Sequence, residues 1–247
     1  MERTRTPQLL TLPLAFALCA LAFPTSSAAQ GVYGSVAGGY GAQATDSTPY
    51  GENIAADPDF PGAFGGGDGT VGSVAIGYAL SENARVEGRV GLHRSRFTET
   101  EFGTGARDGE EYILDGGIRS ATLTVEAAYG LPLGPVAPYV KAGVGVASNG
   151  YSARLGGAGV AAFDPFDGTE DGYYDAYSDE RTVSFAWTVG AGVSTALSSR
   201  LDLFAEYQYL ALGDAETGQD DFTDGFRIES SAAHEGLVGL RVRFGSK

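Results

Sequence analysis

Residues 70–80 alternate strictly: Val74, Ile76, Tyr78 and Leu80 share one parity, and Ser73, Ala75, Gly77 and Ala79 share the other. A period of two, with one greasy face and one small or polar face, marks a β-strand. The pattern returns at about 31–42, 84–97, 119–131, 138–148, 182–197, 201–210 and 233–244, so eight strands are expected. Helix-period segments are scarce. The links alternate in length: short at 81–83, 132–137 and 198–200, and long at 43–69, 98–118, 148–182 and 211–232. A soluble sandwich has no reason to gather every long loop at one end, whereas a transmembrane barrel has short periplasmic turns and longer outer loops. The expected fold is all-β: a transmembrane, eight-stranded antiparallel up-and-down β-barrel with long acidic extracellular loops.

Charge placement tests this expectation independently. On the strand at 84–97, Arg85, Glu87, Arg89 and His93 share a parity opposite to that of Val86, Val90 and Leu92. Glu126, Lys141, Asp202, Glu206, Arg241 and Arg243 likewise oppose the apolar series of their own strands. A lipocalin-like soluble barrel would turn the apolar rows inward, so the pattern favours lipid outside and charges inside. The aromatic residues agree. With both termini periplasmic, Tyr78, Tyr129 and Phe244 fall at the lower end of the outward face, and Tyr40, Phe185, Trp187, Tyr207 and Tyr209 towards the upper end, as two interfacial girdles.

The N-terminus follows a different rule. Arg3 and Arg5 precede an apolar stretch from Leu9 to Phe23, and Ser27-Ala28-Ala29 offers a small-residue cleavage site before Gln30. This reads as a signal peptide at 1–29, with the barrel domain at 30–247. Pro13 and Pro24 bracket an apolar core short of the ~20 residues that a spanning helix needs. The single cysteine, Cys19, lies inside that leader behind Leu18, which is not the small residue a lipid acceptor requires. The mature chain would carry no disulfide.

The 247 residues have a formal net charge of −15 and only two lysines, so nucleic acid is excluded as a partner and no phosphate loop is present. The charge is segregated. The four long segments hold 24 acids against 4 bases, which leaves the rest of the mature chain net positive. An acidic canopy outside the cell favours a cationic surface partner or divalent ions. Asp164-Pro165-Phe166-Asp167-Gly168 and Asp220-Asp221-Phe222-Thr223-Asp224-Gly225 look like calcium loops but lack the spacing of an EF-hand, so no metal site or cofactor is expected. Tyr173, Tyr174 and Tyr177 could form an adhesive tip or pack the loop.

Three segments carry a family resemblance: Gly31-Val32-Tyr33-Gly34-Ser35-Val36-Ala37-Gly38-Gly39-Tyr40-Gly41, Leu203-Phe204-Ala205-Glu206-Tyr207-Gln208-Tyr209, and Gly239-Leu240-Arg241-Val242-Arg243-Phe244. Together with the strand order, they make the mature chain resemble the small outer-membrane β-barrels of Gram-negative bacteria, the OmpA-like, OmpX-like and opacity-type porin and adhesin proteins. The resemblance implies an outer-membrane location and a terminal aromatic, here Phe244, read by the barrel-assembly machinery. Gly245-Ser246-Lys247 follow Phe244, which departs from the family's ending.

Eight strands leave an interior that side chains can fill. Arg85, Glu87, Arg89, Glu126, Lys141, Asp202, Glu206, Arg241 and Arg243 are therefore read as a packed lumen charge network, with Glu235 at the upper rim. A narrow porin-like channel is the alternative. A second alternative is a lipid A-modifying enzyme, because His93-Arg94-Ser95 resembles the His-x-Ser of outer-membrane lipid A deacylases. That pair has inward parity, and the nearest acid on the next strand, Glu126, lies several residues below. Arg94, Arg96 and Arg119 have lipid-facing parity near the outer ends of their strands, so lipopolysaccharide phosphate is an expected rim partner. The function expected is non-enzymatic: envelope integrity, and surface interaction or adhesion through acidic loops.

Overall fold

The computed structural model describes residues 31–43, 46–51, 54–131, 133–157, 173–218 and 225–244. The segment at 1–29, expected to be a leader, and the acidic segments at 164–168 and 220–224 lie outside them. Among the described residues nine strands are formed: β1 (Gly31–Gln43), β2 (Ser47–Tyr50), β3 (Asp68–Ala79), β4 (Ala84–Phe102), β5 (Glu111–Gly130), β6 (Val136–Gly156), β7 (Tyr173–Ala196), β8 (Leu201–Glu216) and β9 (Gly225–Phe244). All pairs are antiparallel. Eight of the strands pair in chain order and close through β1 and β9, while β2 pairs with the upper part of β9, beyond the end of β1.

The register sets the shape. A hydrogen-bonding row that starts at Val32 runs through Tyr78, Val86, Ala127, Ala142, Val189, Tyr209 and His234 and returns to β1 at Ala42, a shear of ten residues. With a rise of ~3.3 Å per residue and strands ~4.8 Å apart, that shear tilts the strands by about 40°. The outward rows are apolar and open to lipid, with Val74, Ile76, Leu92, Val125, Val140 and Phe185 all exposed.

Two of the short turns use one device. In Leu80-Ser81-Glu82-Asn83-Ala84 the Ser81 hydroxyl accepts from the backbone N–H of Asn83 and Ala84. In Leu197-Ser198-Ser199-Arg200-Leu201, Ser198 does the same for Arg200 and Leu201. A serine hydroxyl that mimics a backbone acceptor is a local turn former, so both reversals are encoded in their own few residues.

The strand ends expected from the sequence need correction. β4 continues to Phe102, β5 starts at Glu111, β6 continues to Gly156, and β8 and β9 reach Glu216 and Gly225, so much of the expected loop sequence is strand. These extensions form a collar above the membrane belt with inverted polarity. Its inner face is apolar, with Phe97, Tyr112, Leu114, Ile118, Tyr151 and Leu155 buried in one cluster, and its outer face carries Thr98, Asp115 and Arg154. A barrel wall facing water must reverse the polarity of one facing lipid. Bulges keep the apolar residues inside: Ser230 sits at φ 55° opposite the kink at Gly213 (φ 74°), and its N–H donates to Asp214 Oδ1 at 2.8 Å. Below Ser230 the odd residues of β9 point inward; above it Phe226 and Ile228 do.

The segment between β1 and β3 folds over this collar. Phe60 packs on Tyr112 and Phe64 on Phe226, with ring centroids 4.7 and 5.8 Å apart. Tyr177 packs edge-on against Phe226 at 5.2 Å and is buried, so of the three loop tyrosines this one belongs to the core and not to a tip. Outside, Arg107 clamps the segment: its Nε donates to Asp57 at 2.7 Å and its Nη1 to Glu110 at 3.0 Å. The Asp59 backbone N–H, followed by Arg107, holds the Asp57 carboxyl below its ordinary range, and the Tyr112 hydroxyl with Arg107 does the same for Glu110. Depressed carboxylate pKa values make the clamp complete above the unfolded values near pH 4, and it weakens as pH falls through the lower folded values. Amides at 57–60 and 104–108 are therefore expected to exchange faster at pH 3 than at pH 6, after correction for intrinsic rates. Unchanged protection would show that the apolar cluster alone holds the segment.

Candidate functional site in the lumen and at the outer rim

The interior is layered. On β4 the inward residues read Arg85, Glu87, Arg89, Gly91, His93, Ser95 and Phe97, from charged through polar to aromatic. The charged layer centres on Arg89, whose Nη2 lies 2.5 Å from Glu87, Nε 3.3 Å from Glu126 and Nη1 3.5 Å from Glu206. Lys141 Nζ completes it at 3.1 Å from Glu126 and 2.8 Å from Glu206. The five side chains come from β4, β5, β6 and β8 and are almost inaccessible. Three hydroxyls that sequence reasoning missed serve the same groups: Tyr33 donates to Glu87 at 2.8 Å, Tyr139 to Glu206 at 2.9 Å, and Ser73 accepts from Arg89 at 3.0 Å. Their inward parity was the available signal. Gly77 and Gly192 give the tyrosine rings their places, since a Cβ at either would meet a ring atom within 2.3 and 2.6 Å.

The other expected lumen charges stand apart from this hub. Arg243 Nη2 donates to both oxygens of Asp202, at 2.5 and 2.7 Å, at the periplasmic mouth. Arg85 and Arg241 meet no carboxylate among the described residues. Each instead lies on a ring: Arg85 over Tyr139 at 4.2 Å, and Arg241 over Tyr33 at 5.3 Å and Phe204 at 5.0 Å.

Above the hub sits a polar relay whose acid is not the one the sequence pointed to. Glu235, expected at the rim, is fully buried, and its Oε1 lies 2.6 Å from His93 Nδ1. Gln208 donates to its other oxygen at 2.6 Å. His93 Nε2 is 3.2 Å from the Thr122 hydroxyl, so an Nδ1–H directed at Glu235 leaves Nε2 to accept from Thr122. Carboxylate, imidazole and hydroxyl in sequence resemble a nucleophile-activating triad. The space does not. The cavity beside His93, lined by Gln43, Ser95, Ser120 and Glu235 among others, holds about 20 Å³, room for one water. Ser95 Oγ makes no hydrogen bond there, and the hydroxyl facing His93 is that of Thr122.

At the outer rim, Arg94 and Arg119 are directly opposed across β4 and β5, and Arg96 is one outward position above Arg94. All three are exposed on the lipid-facing side, and none forms an ion pair with a carboxylate among the described residues. Like charges directly opposite each other destabilise a strand pair. The aromatic girdle lies elsewhere on the circumference, where Tyr207 bonds His234 Nδ1 at 2.6 Å and Trp187 packs on Tyr209 at 5.2 Å.

Comparison with known proteins agrees with this architecture. The outer membrane protein beta-barrel domain model matches residues 11–232. The chain belongs to that family. Solved structures fold similarly: the outer membrane protein OprG from Pseudomonas aeruginosa is 13% identical over 87% of this chain and 97% of its own, with a TM-score of 0.50. Neisserial surface protein A is 19% identical over 86% of this chain and 97% of its own, with a TM-score of 0.46. Ail, the attachment invasion locus protein of Yersinia pestis, is 14% identical over 86% of this chain and 98% of its own, with a TM-score of 0.37. No curated protein sequence matches. The barrel is an outer-membrane protein, and its girdles and lipid-facing rows follow from that location.

Proposed function

We propose that this outer-membrane barrel is a non-enzymatic envelope component that holds lipopolysaccharide phosphate at its rim and presents an acidic collar for surface interaction. One observation carries the reading: among the described residues the lumen above the periplasmic mouth is packed with side chains and leaves no continuous path. The charged hub occupies its lower part, the His93–Glu235 relay its middle and the apolar cluster its top, so the surfaces open to large partners are external. Planar bilayer recording is expected to give no unitary conductance, and reproducible steps would restore the narrow-porin reading. Incubation with purified lipid A is expected to release no fatty acid.

The opposed Arg94 and Arg119, with Arg96 beside them, favour an anion between them, and guanidinium forks suit phosphate oxygens. Arginine at the bilayer interface costs only about 0–1 kcal/mol, so the placement is tolerable. Lipopolysaccharide is expected to raise the thermal midpoint of the wild type and to leave that of an Arg94/Arg96/Arg119→Gln variant nearly unchanged. Equal stabilisation of both proteins would remove the rim from the function. The acidic residues at the extracellular end, Glu99, Glu101, Asp108 and Asp115, support cationic partners or divalent ions as the surface ligands.

A further inference from the structure

The periplasmic mouth holds two inward cations that form no ion pair among the described residues. Arg85 on β4 and Arg241 on β9 both point inward, Arg241 is 6% exposed, and they lie on the Tyr139 and Tyr33 rings, whose hydroxyls donate to Glu206 and Glu87 on either side of Arg89. The Nε of each is buried and has no hydrogen-bond partner. Among the described residues, neither side chain donates a hydrogen bond or forms an ion pair. A guanidinium carries five N–H donors in a planar fork, and the buried Nε donor of each fork has no acceptor.

The carboxylates that could serve them are committed elsewhere. Tyr33 and Tyr139 cap Glu87 and Glu206 from below, and Arg89 and Lys141 hold those acids from the other side. Asp202 is directly opposite Arg241 in register, yet both its oxygens accept from Arg243. The mouth therefore has three cations, Arg85, Arg241 and Arg243, against the one acid Asp202. The rings of Tyr33, Tyr139 and Phe204 wall the pair and strengthen whatever charge it meets. Two planar donor forks without an ion pair suit the several oxygens of a tetrahedral oxyanion better than a single carboxylate.

We propose that Arg85 and Arg241 form an oxyanion site in the periplasmic mouth that takes a phosphate-type dianion between the two guanidiniums. The site is independent of the lipopolysaccharide rim, being inside the barrel and at its opposite end. Its ligand is either soluble phosphate or the phosphomonoester headgroup of a periplasmic-leaflet lipid, which present the same oxygens.

The test uses the full folded barrel in uncharged detergent micelles, titrated with millimolar inorganic phosphate against chloride at matched ionic strength, with the thermal midpoint as readout. The wild type is expected to show a saturable rise, and an Arg85→Gln/Arg241→Gln variant to bind at least about tenfold more weakly, as removal of charge-assisted bonds requires. The titration is repeated in an Arg94/Arg96/Arg119→Gln background, where the rim contributes nothing and the loss caused by Arg85→Gln/Arg241→Gln is expected to remain, which separates this site from the rim. Heat-modifiable electrophoretic mobility shows that each variant is folded, and Arg241→Lys, which keeps the charge but not the fork, is expected to fall between. Stabilisation by micelles doped with phosphatidic acid, and not by inorganic phosphate, would assign the headgroup as ligand. No response of the wild type to either probe, or an equal response of the double glutamine variant, would overturn the proposal.

Discussion

Arg89→Gln is expected to lower the unfolding free energy by about 3–5 kcal/mol, because it removes one partner from a buried network and leaves charges uncompensated. Arg89 touches three carboxylates, Glu87, Glu126 and Glu206, and its side chain is only 6% exposed. Without it, Glu126 and Glu206 share the single ammonium of Lys141, and Glu87 keeps only the Tyr33 hydroxyl. The reverse change is expected to be milder: Glu206→Gln brings the remaining hub to two acids and two bases, and the glutamine can still accept from Tyr139. Denaturant unfolding in micelles checks both the order and the coupling. Pairing Arg89→Gln with Glu87→Gln should cost less than the sum of the single changes. Additivity, or a larger loss for Glu206→Gln, would mean that the charges act independently.

Phe226→Ala is expected to cost about 3–5 kcal/mol locally, as truncation of a fully buried aromatic does. Phe226 is inaccessible and packs edge-on against both Phe64 and Tyr177, so it joins the segment between β1 and β3 to the inner face of the collar. Its loss should free that segment while leaving the membrane belt intact. Protease cleavage within 54–67 is expected to rise sharply in Phe226→Ala and far less in Phe226→Leu, with heat-modifiable mobility unchanged in both. Wild-type resistance in the alanine variant would show that the Arg107 clamp alone holds the segment down.

The membrane belt was legible because each strand reports its own two faces. Val86, Val90 and Leu92 against Arg85, Glu87 and Arg89 state which side meets lipid without reference to any other strand, and the placement of Tyr129 and Trp187 marks the interfaces. The collar was hidden by the same rule. Its acidic residues read as loop, while Phe97, Tyr112, Leu114, Tyr151 and Phe226 carry the alternation on the opposite face, where a search for outward apolar rows does not look. Bulges at Ser230 and Gly213 shift the parity further.

The sequence by itself determined the eight strands of the closed barrel, though not β2, together with the outward face of each in the membrane belt, the inward placement of the charges and the positions of two short turns, since these depend on periods of two and on contacts within a few residues. Which inward groups meet was decided only by closure. A shear of ten residues sets the level of each strand against its neighbours, and it gathers Arg89 with Glu126 and Glu206 while leaving Arg85 and Arg241 to the rings. His93 and Glu235 meet across two intervening strands, and Gly41 leaves the room Glu235 needs, since a Cβ there would lie 3.0 Å from its Cγ. Alternation along a chain fixes direction, but contact between strands is a property of the closed cylinder, and no single strand contains it.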